Sequence, residues 1–195
     1  MYKIYDILCI NIERLLNMNL YVIRHGQTDC NKNKKYNCRL DEDINEVGIE
    51  EAKRARKLVK DLDIDLIICS PMKRTKHTCE IINANNIPVI YDDRLMERIG
   101  GVLTNAKIDD YYFTDYYNYY SNNILEGLES LPELFNRVHS FIDEIKIKYN
   151  CKNIFLVTHG AVARTIQFYF EEMPKDGMLL NASGQKNCKI KKYIL

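Results

Sequence analysis

The sequence predicts an α/β fold, a three-layer sandwich with a mostly parallel central sheet flanked by helices and a small Tyr-rich cap insertion. Three observations carry that prediction. Short, uninterrupted apolar runs such as Leu20-Tyr21-Val22-Ile23 and Ile154-Phe155-Leu156-Val157 read as strands buried on both faces, the pattern of parallel sheets. Segments with helical apolar spacing alternate with these runs along the chain. Two of the runs end in a histidine followed by glycine, Arg24-His25-Gly26 and Thr158-His159-Gly160. Ligands of open α/β sheets bind outside the carboxyl ends of the strands.

The elements follow in order. A strand over 20–24 leads to a polar, basic loop over 31–43. Asn45 can cap a helix whose apolar positions Ile49, Ala52, Ala55, Val59 and Leu62 recur every three to four residues. A strand over 66–69 ends in Ser70-Pro71, which reads as an N-cap and a first helical proline. That helix runs to about Asn83, and the stretch from Asn85 to Pro88 breaks it before a third strand over 89–91. Ser130-Leu131-Pro132-Glu133 has the form of a capping box, and Leu134, Phe135, Val138, Phe141, Ile142 and Ile145 share one face of the helix behind it. The strand over 154–157, a helix over about 161–170 and a final strand over about 188–194 complete the chain. There are no internal repeats.

Two segments break this rhythm. Residues 104–127 hold Tyr111, Tyr112, Phe113, Tyr116, Tyr117, Tyr119 and Tyr120 with Asp109, Asp110 and Asp115 interleaved. They read as the cap, its aromatics packing it onto the main domain and some of them reaching substrate. Residues 1–17 carry loosely helical apolar spacing interrupted by Asp6, Glu13 and Arg14. They are expected to be either an amphipathic helix or an extension upstream of a start at Met18, and not a signal peptide. Residues 18–195 then form a single α/β domain.

Composition narrows the function. The chain has 195 residues, 46% hydrophobic and 28% charged, with a formal net charge of +1. A balance this close to zero offers no electrostatic case for nucleic acid or an anionic membrane as partner. No apolar stretch approaches the roughly 18 residues of a membrane span. Seven cysteines are scattered, with no C-x-x-C pair and no zinc-ligand spacing, and are expected to be reduced thiols of a cytoplasmic protein. Oligomeric state is not encoded in any of these signals.

The chemistry concentrates at the two histidines. Imidazole attacks phosphorus when the attacking nitrogen is unprotonated. A fixed acceptor on the other nitrogen and neighbouring cations keep it so. Arg24 beside His25 and Arg74 on the helix after the second strand can clamp phosphate oxygens with forked hydrogen bonds. His159 is expected to complete the pocket as a cationic donor. Glu97, placed after the third strand and before the cap, is the candidate to protonate a leaving oxygen and then activate water, with Glu126 or Glu129 as substitutes if the cap folds otherwise. His77 and His139 match no motif and are expected to be structural. Lys32, Lys34, Lys35 and Arg39 form either a solvated loop or a funnel for anions.

These stretches together resemble the histidine phosphatase superfamily, the group that includes cofactor-dependent phosphoglycerate mutases and many small-molecule phosphatases. The resemblance rests on Leu20 to Thr28 with Asn31, on Ser70-Pro71-Met72-Lys73-Arg74-Thr75 with Thr78, on Glu97 after Leu95, and on Val157-Thr158-His159-Gly160 with Arg164. Glu129-Ser130 and Asn181-Ala182-Ser183 resemble weaker signatures. It implies a phosphorylated His25, phosphoryl binding by Arg24, Arg74 and His159 beside Gly160, a proton donor at Glu97, Asn31 and Thr28 in the pocket wall, and no need for a metal or cofactor. Lys35 and Cys38 stand where the family commonly has Arg and Gly. Ile99-Gly100-Gly101-Val102-Leu103-Thr104-Asn105 departs from the family pattern after Glu97. Both departures bear on substrate identity. The expected function is a metal-independent phosphomonoester hydrolase acting on a small phosphorylated metabolite. The alternatives are a phosphoglycerate mutase-type phosphotransferase, to which Arg98 after Glu97 is similar, and a catalytically silent module that binds phosphorylated ligands.

Overall fold

A computed structural model describes residues 18–108, 114–122, 125–149, 152–181 and 184–195. The N-terminal extension 1–17, the tyrosines 111 and 112 with Phe113, and Ala182-Ser183 lie outside the described residues.

The sheet contains β1 (Asn19–Arg24), β2 (Leu66–Cys69), β3 (Val89–Tyr91), β4 (Ile154–Thr158) and β5 (Ile190–Ile194), in the spatial order β3-β2-β4-β1-β5. Four strands are parallel, and β5 runs antiparallel along the outer side of β1. The helices are α1 (Asp29–Lys32), α2 (Glu46–Val59), α3 (Lys73–Ile82), α4 (Leu131–Lys148) and α5 (Gly160–Phe170).

The alternation of side chains along each strand splits the interior into two cores. Leu20, Val22, Leu66, Ile68, Ile154 and Leu156 face α4 and α5, where they meet Leu134, Val138, Phe141, Ile142, Val162 and Ile166. Tyr21, Ile23, Ile67, Cys69, Phe155 and Val157 face α2 and α3, meeting Ala52, Ala55, Val59, Cys79 and Ile82. Each fully buried Leu or Ile contributes about 1.5–3 kcal/mol, so a strand buried on both faces is fixed in register from both sides.

Caps set the helix starts. Asn45 accepts from the amide of Gly48 at 3.0 Å, and Ser130 and Glu133 form the reciprocal capping box, each device stabilising by about 1 kcal/mol. The helix after β2 starts later than Ser70-Pro71 predicts. Its N-cap is Met72, with extended backbone, and the amide of Lys73 donates to Asp41 Oδ1 at 2.9 Å. Ser70 is drawn away from capping because its hydroxyl meets His159 Nε2 at 2.8 Å. The predicted polar loop also contains α1, a single turn capped by Thr28.

The connection after β1 leads to α2 on one face, and the one after β4 leads to α5 on the other. β1 and β4 are neighbours with Arg24 in register with Thr158. A crevice therefore opens where the two connections diverge, at the carboxyl ends of these strands. From the Tyr-rich segment, Tyr116 packs in a small cluster with Tyr36, Cys38 and Leu103.

Candidate active site

His25 and His159 follow directly from the ends of β1 and β4. The amide of His25 donates to the carbonyl of Thr158 at 3.0 Å, continuing the ladder one residue past the strand, and the two imidazole centroids are 5.3 Å apart. His25 is 2% exposed. Its Nδ1 lies 2.7 Å from the carbonyl of Gly26. A carbonyl only accepts, so Nδ1 carries the hydrogen and Nε2 keeps its lone pair. Burial holds this imidazole well below the usual histidine value, and the charges of Arg74 and Arg24 push it the same way. The nitrogen that a phosphorus electrophile needs is thus unprotonated.

Gly26 is fixed by contact. A Cβ there would fall 2.5 Å from the carbonyl oxygen of Gly48, and one on Gly48 would fall 2.3 Å from that of Gln27. The first turn of α2 therefore rests backbone to backbone on the loop that presents His25.

A cavity of about 250 Å³ opens over His25, walled also by Arg24, Asn31, Glu97, Gly160 and Arg164. Arg24 lies along Gly160 at the start of α5, 3.4 Å from where a Cβ would stand. Arg24 Nη1 donates to the carbonyl of Gln185 at 3.3 Å, and its buried Nε has no partner. Glu97 accepts from the amides of Arg98 at 2.9 Å and Ala161 at 3.4 Å, which sets its carboxylate at the amino end of α5, where the helix dipole favours negative charge. Asn31 Oδ1 accepts from the Thr28 amide and from Asn187 Nδ2, both at 3.3 Å.

The remaining expected residues are placed differently. Thr28 is buried and caps α1, its hydroxyl also accepting from Asn37 Nδ2 at 3.0 Å; it is not in the cavity wall. Arg74 and His159 are 0% exposed and form an inner layer against His25 and not the wall. Arg74 donates to the carbonyls of Leu40 at 2.6 Å and Cys38 at 2.7 Å, and through Nε to His159 Nδ1 at 3.2 Å. The expected cationic His159 is corrected by this contact. A nitrogen that accepts from Arg74 carries no hydrogen, and burial, with Arg74, His25 and Arg24 adding, holds the ring well below the usual histidine value. Its one N–H, on Nε2, points at Ser70.

The substitutes for Glu97 are engaged or remote. Glu129 is bound to Arg137 at 2.6 and 2.9 Å and to the amide of Ile99, and Glu126 is exposed. Arg98 turns away from the cavity. It donates to the carbonyls of Glu129 and Tyr116 and stacks 4.3 Å over the Tyr116 ring. His77 pairs with Asp43 at 3.0 Å, and His139 packs against Phe135 and Tyr169. Of the basic loop, Lys35 reaches the cavity wall and Arg39 holds the carbonyl of Glu97 at 3.0 Å. Cys38 also reaches the wall, but burial, reinforced by the charge of Glu97, pushes its thiol up to about 11, so it is no thiolate nucleophile near neutral pH.

Arg164, given above only as part of the family pattern, and Tyr117, one of the aromatics of the Tyr-rich segment, line the cavity together with Gln185 and Lys186, which the sequence analysis did not single out. Arg164 was accessible in principle, because it stands one helical turn after Gly160 on the same face. Gln185 and Lys186 carry no local signal; they arrive with the loop that leads into β5.

Geometry and likeness to known proteins converge. The sequence model of the histidine phosphatase superfamily, branch 1, matches residues 20–193. An uncharacterised phosphatase of Bacillus subtilis is 31% identical over 146 residues, covering 74% of this chain and 73% of that protein. Phosphoserine phosphatase 1 of Hydrogenobacter thermophilus is 28% identical over 156 residues, with 76% and 74% covered. The crystal structure of a putative alpha-ribazole-5'-P phosphatase from Escherichia coli superimposes with a TM-score of 0.78 at 23% identity, covering 91% of this chain and 90% of that one. The chain belongs to the histidine phosphatase superfamily and is an enzyme of the phosphatase and phosphoglycerate mutase-like type. No helix among the described residues is long and apolar enough to cross a membrane.

Proposed function

We propose that this protein is a metal-independent phosphomonoester hydrolase that acts on a small phosphorylated metabolite through a phosphohistidine at His25. The observation that carries the reading is the Nδ1–H bond from His25 to Gly26, which leaves Nε2 bare at the floor of a cavity flanked by Arg24. In this reading Nε2 attacks phosphorus and the bond from phosphorus to the ester oxygen breaks. The Glu97 carboxyl gives a proton to the departing oxygen. Arg24 holds phosphoryl oxygens through its unpartnered Nε. Arg74, in the layer behind His25, adds its charge, and His159, its Nε2–H taken by Ser70, holds Arg74 in place. Fixed donors of this type stabilise the charge of phosphoryl transfer. Water then attacks phosphorus, its proton passes to the Glu97 carboxylate, and the bond from phosphorus to Nε2 breaks. Phosphate leaves and neutral His25 is restored.

Arg98, the residue that kept a mutase-type transfer open, spends its donors on backbone carbonyls, and no specific observation favours that alternative. The buried free thiols Cys30, Cys38, Cys69, Cys79 and Cys188 fit the cytoplasm, a reducing compartment.

The test is a panel of phosphomonoesters assayed for phosphate release with a chelator present, together with acid-labile, base-stable label trapped on the protein by quenching during turnover. Label on wild type and none on His25→Ala, with turnover abolished, is the expected result. Substantial turnover by His25→Ala rejects the covalent route. Binding without turnover leaves a silent module, and transfer to a second acceptor in place of water leaves a mutase.

A further inference from the structure

Glu97 sits on a stretch with little regular structure. After β3 the chain makes one short 3-10 turn, Asp93–Leu95, and Glu97 follows it in open backbone. No sheet or helix ladder fixes the residue that carries the carboxylate. Among the described residues, the carboxylate meets the amide of Arg98 at 2.9 Å and that of Ala161 at 3.4 Å. The first donor belongs to the next residue and moves with the stretch. The second bond is long and therefore weak. The carboxylate lies where the backbone of residues 94–99 puts it.

An ion pair grips that backbone. Arg137, on α4, forks onto the carboxylate of Glu129 at 2.6 and 2.9 Å. Glu129 directly precedes Ser130, the cap of the same helix. The two side chains are only 18% and 8% exposed, so water competes little for the fork. Arg137 also donates to the carbonyls of Arg94 at 2.6 Å and Glu97 at 3.4 Å. Glu129 accepts from the amide of Ile99 at 3.1 Å, and its own amide donates to the carbonyl of Ile99 at 3.0 Å. The pair thus holds the stretch at Glu97 and on both sides of it. Thr158 and Arg39 add one bond each, to the carbonyls of Leu95 and Glu97. The helix behind the pair is rigid, because Leu134, Val138, Phe141 and Ile142 are all buried in the core.

We propose that Arg137 and Glu129 are positioning residues for the proton donor: the pair ties residues 94–99 to α4 and so holds the Glu97 carboxyl beside the leaving oxygen. Neither residue lines the cavity, and neither touches the reacting atoms. What Glu97 does with its proton rests on the hydrolase reading, while the grip stands on the contacts alone. A donor displaced by about 1 Å loses up to about 10²-fold in rate. A fork on two backbone carbonyls and one amide is therefore enough to matter to the chemistry without any contact with substrate.

The experiment reads the position of Glu97 in two ways. In kinetics, Arg137→Met should lower kcat for an alkyl phosphate by about 10- to 100-fold with KM little changed. Hydrolysis of a nitrophenyl ester should fall much less, because its leaving group needs little protonation. In a Glu97→Gln background the same change should add almost nothing, since the group it places is already gone. Arg137→Lys should regain only part of the rate, for an ammonium cannot form the fork. Glu129→Gln keeps the shape of the side chain and should show the same leaving-group selectivity at smaller size, which serves if Arg137→Met does not fold. Equal losses on both esters, or a loss that multiplies with that of Glu97→Gln, overturns the proposal. Amide NMR reads the placement without turnover. The signal of Ala161, which donates to Glu97 from α5, should move in Glu129→Gln and Arg137→Met in the direction it takes in Glu97→Gln. An Ala161 signal that stays at its wild-type position overturns the proposal. If wild type hydrolyses neither ester, the hydrolase reading fails, and the Ala161 signal still decides whether the pair places Glu97.

Discussion

Arg74 Nε lies 3.2 Å from Nδ1 of His159, and Ser70 Oγ lies 2.8 Å from Nε2 on the opposite edge of the same ring. The pair fixes the second histidine in one tautomer before any ligand arrives. It also joins α3 to the end of β4, because Arg74 lies in the first turn of α3 and His159 is the N-cap of α5.

Arg74→Lys keeps the charge and loses the fork. A lysine cannot serve the carbonyls of Cys38 and Leu40 and the ring of His159 together. Three bonds from a fully buried cation are at stake, so the expected loss is about 3 kcal/mol or more. In a domain of this size that lowers Tm by about 6–12 °C. Thermal unfolding of the variant checks this, and a Tm unchanged from wild type would mean that the inner layer is not held by Arg74.

The amides of Arg98 and Ala161 each meet a different oxygen of Glu97, so Glu97→Gln keeps an acceptor for one of them and removes the transferable proton. Hydrolysis of alkyl phosphates should fall by about 10²–10⁴-fold. Hydrolysis of a nitrophenyl ester, whose leaving group needs little protonation, should fall less. Steady-state kcat on both substrates decides the matter, and equal losses would remove Glu97 from the role of acid.

Acid should destabilise the protein through its two histidines. Burial holds both below the usual value, with Arg74 adding to each. Above about pH 6.5 the folded and unfolded imidazoles are alike neutral, and this contribution is fully present. As the pH falls below that, the unfolded chain takes up protons that the folded site refuses, so stability is lost toward the lower folded value. The ring protons of His25, followed by NMR, should titrate below about 6.5. The fall in Tm between about pH 7.5 and about pH 5 should be smaller in His25→Asn than in wild type. A ring midpoint at or above the ordinary histidine value would show that the site is more solvated than its burial implies.

Neighbouring tyrosines should separate stability from recognition. Tyr116 is buried against Tyr36, 4.7 Å between ring centroids, and beneath Arg98. Tyr116→Ala should cost about 3–5 kcal/mol, as for other large aromatic truncations in a core. Tyr117 lines the cavity and supports Arg164. Tyr117→Ala should raise KM for the preferred substrate several-fold with a smaller change in Tm. Reversed behaviour of the two would mean that Tyr116, which also lines the cavity, and not Tyr117, selects the substrate.

The sequence by itself determined the layered fold and the floor of the site. The apolar runs ending at Arg24 and Thr158, the Asn45 cap and the Ser130–Glu133 box are signals confined to a few neighbouring residues, and each local choice agrees with the final packing. Glu97 was legible for the same reason, lying one short loop from a strand end, whereas Asn31 came with the family resemblance. Tertiary structure alone decided what those side chains meet. Ser70 reads locally as a helix cap, yet it serves His159, which is 89 positions away. Arg98 after Glu97 is similar to the mutases, yet backbone carbonyls at Tyr116 and Glu129 take its donors. His159 reads as a cation, yet a buried arginine beside it keeps it neutral. Lys35, Arg164 and Lys186 meet at one cavity only because β5 turns back antiparallel beside β1 and brings the loop before it to the carboxyl ends of the parallel strands. A residue's partner across the sheet depends on the path of the whole chain, and the residues beside it in sequence hold no record of that path.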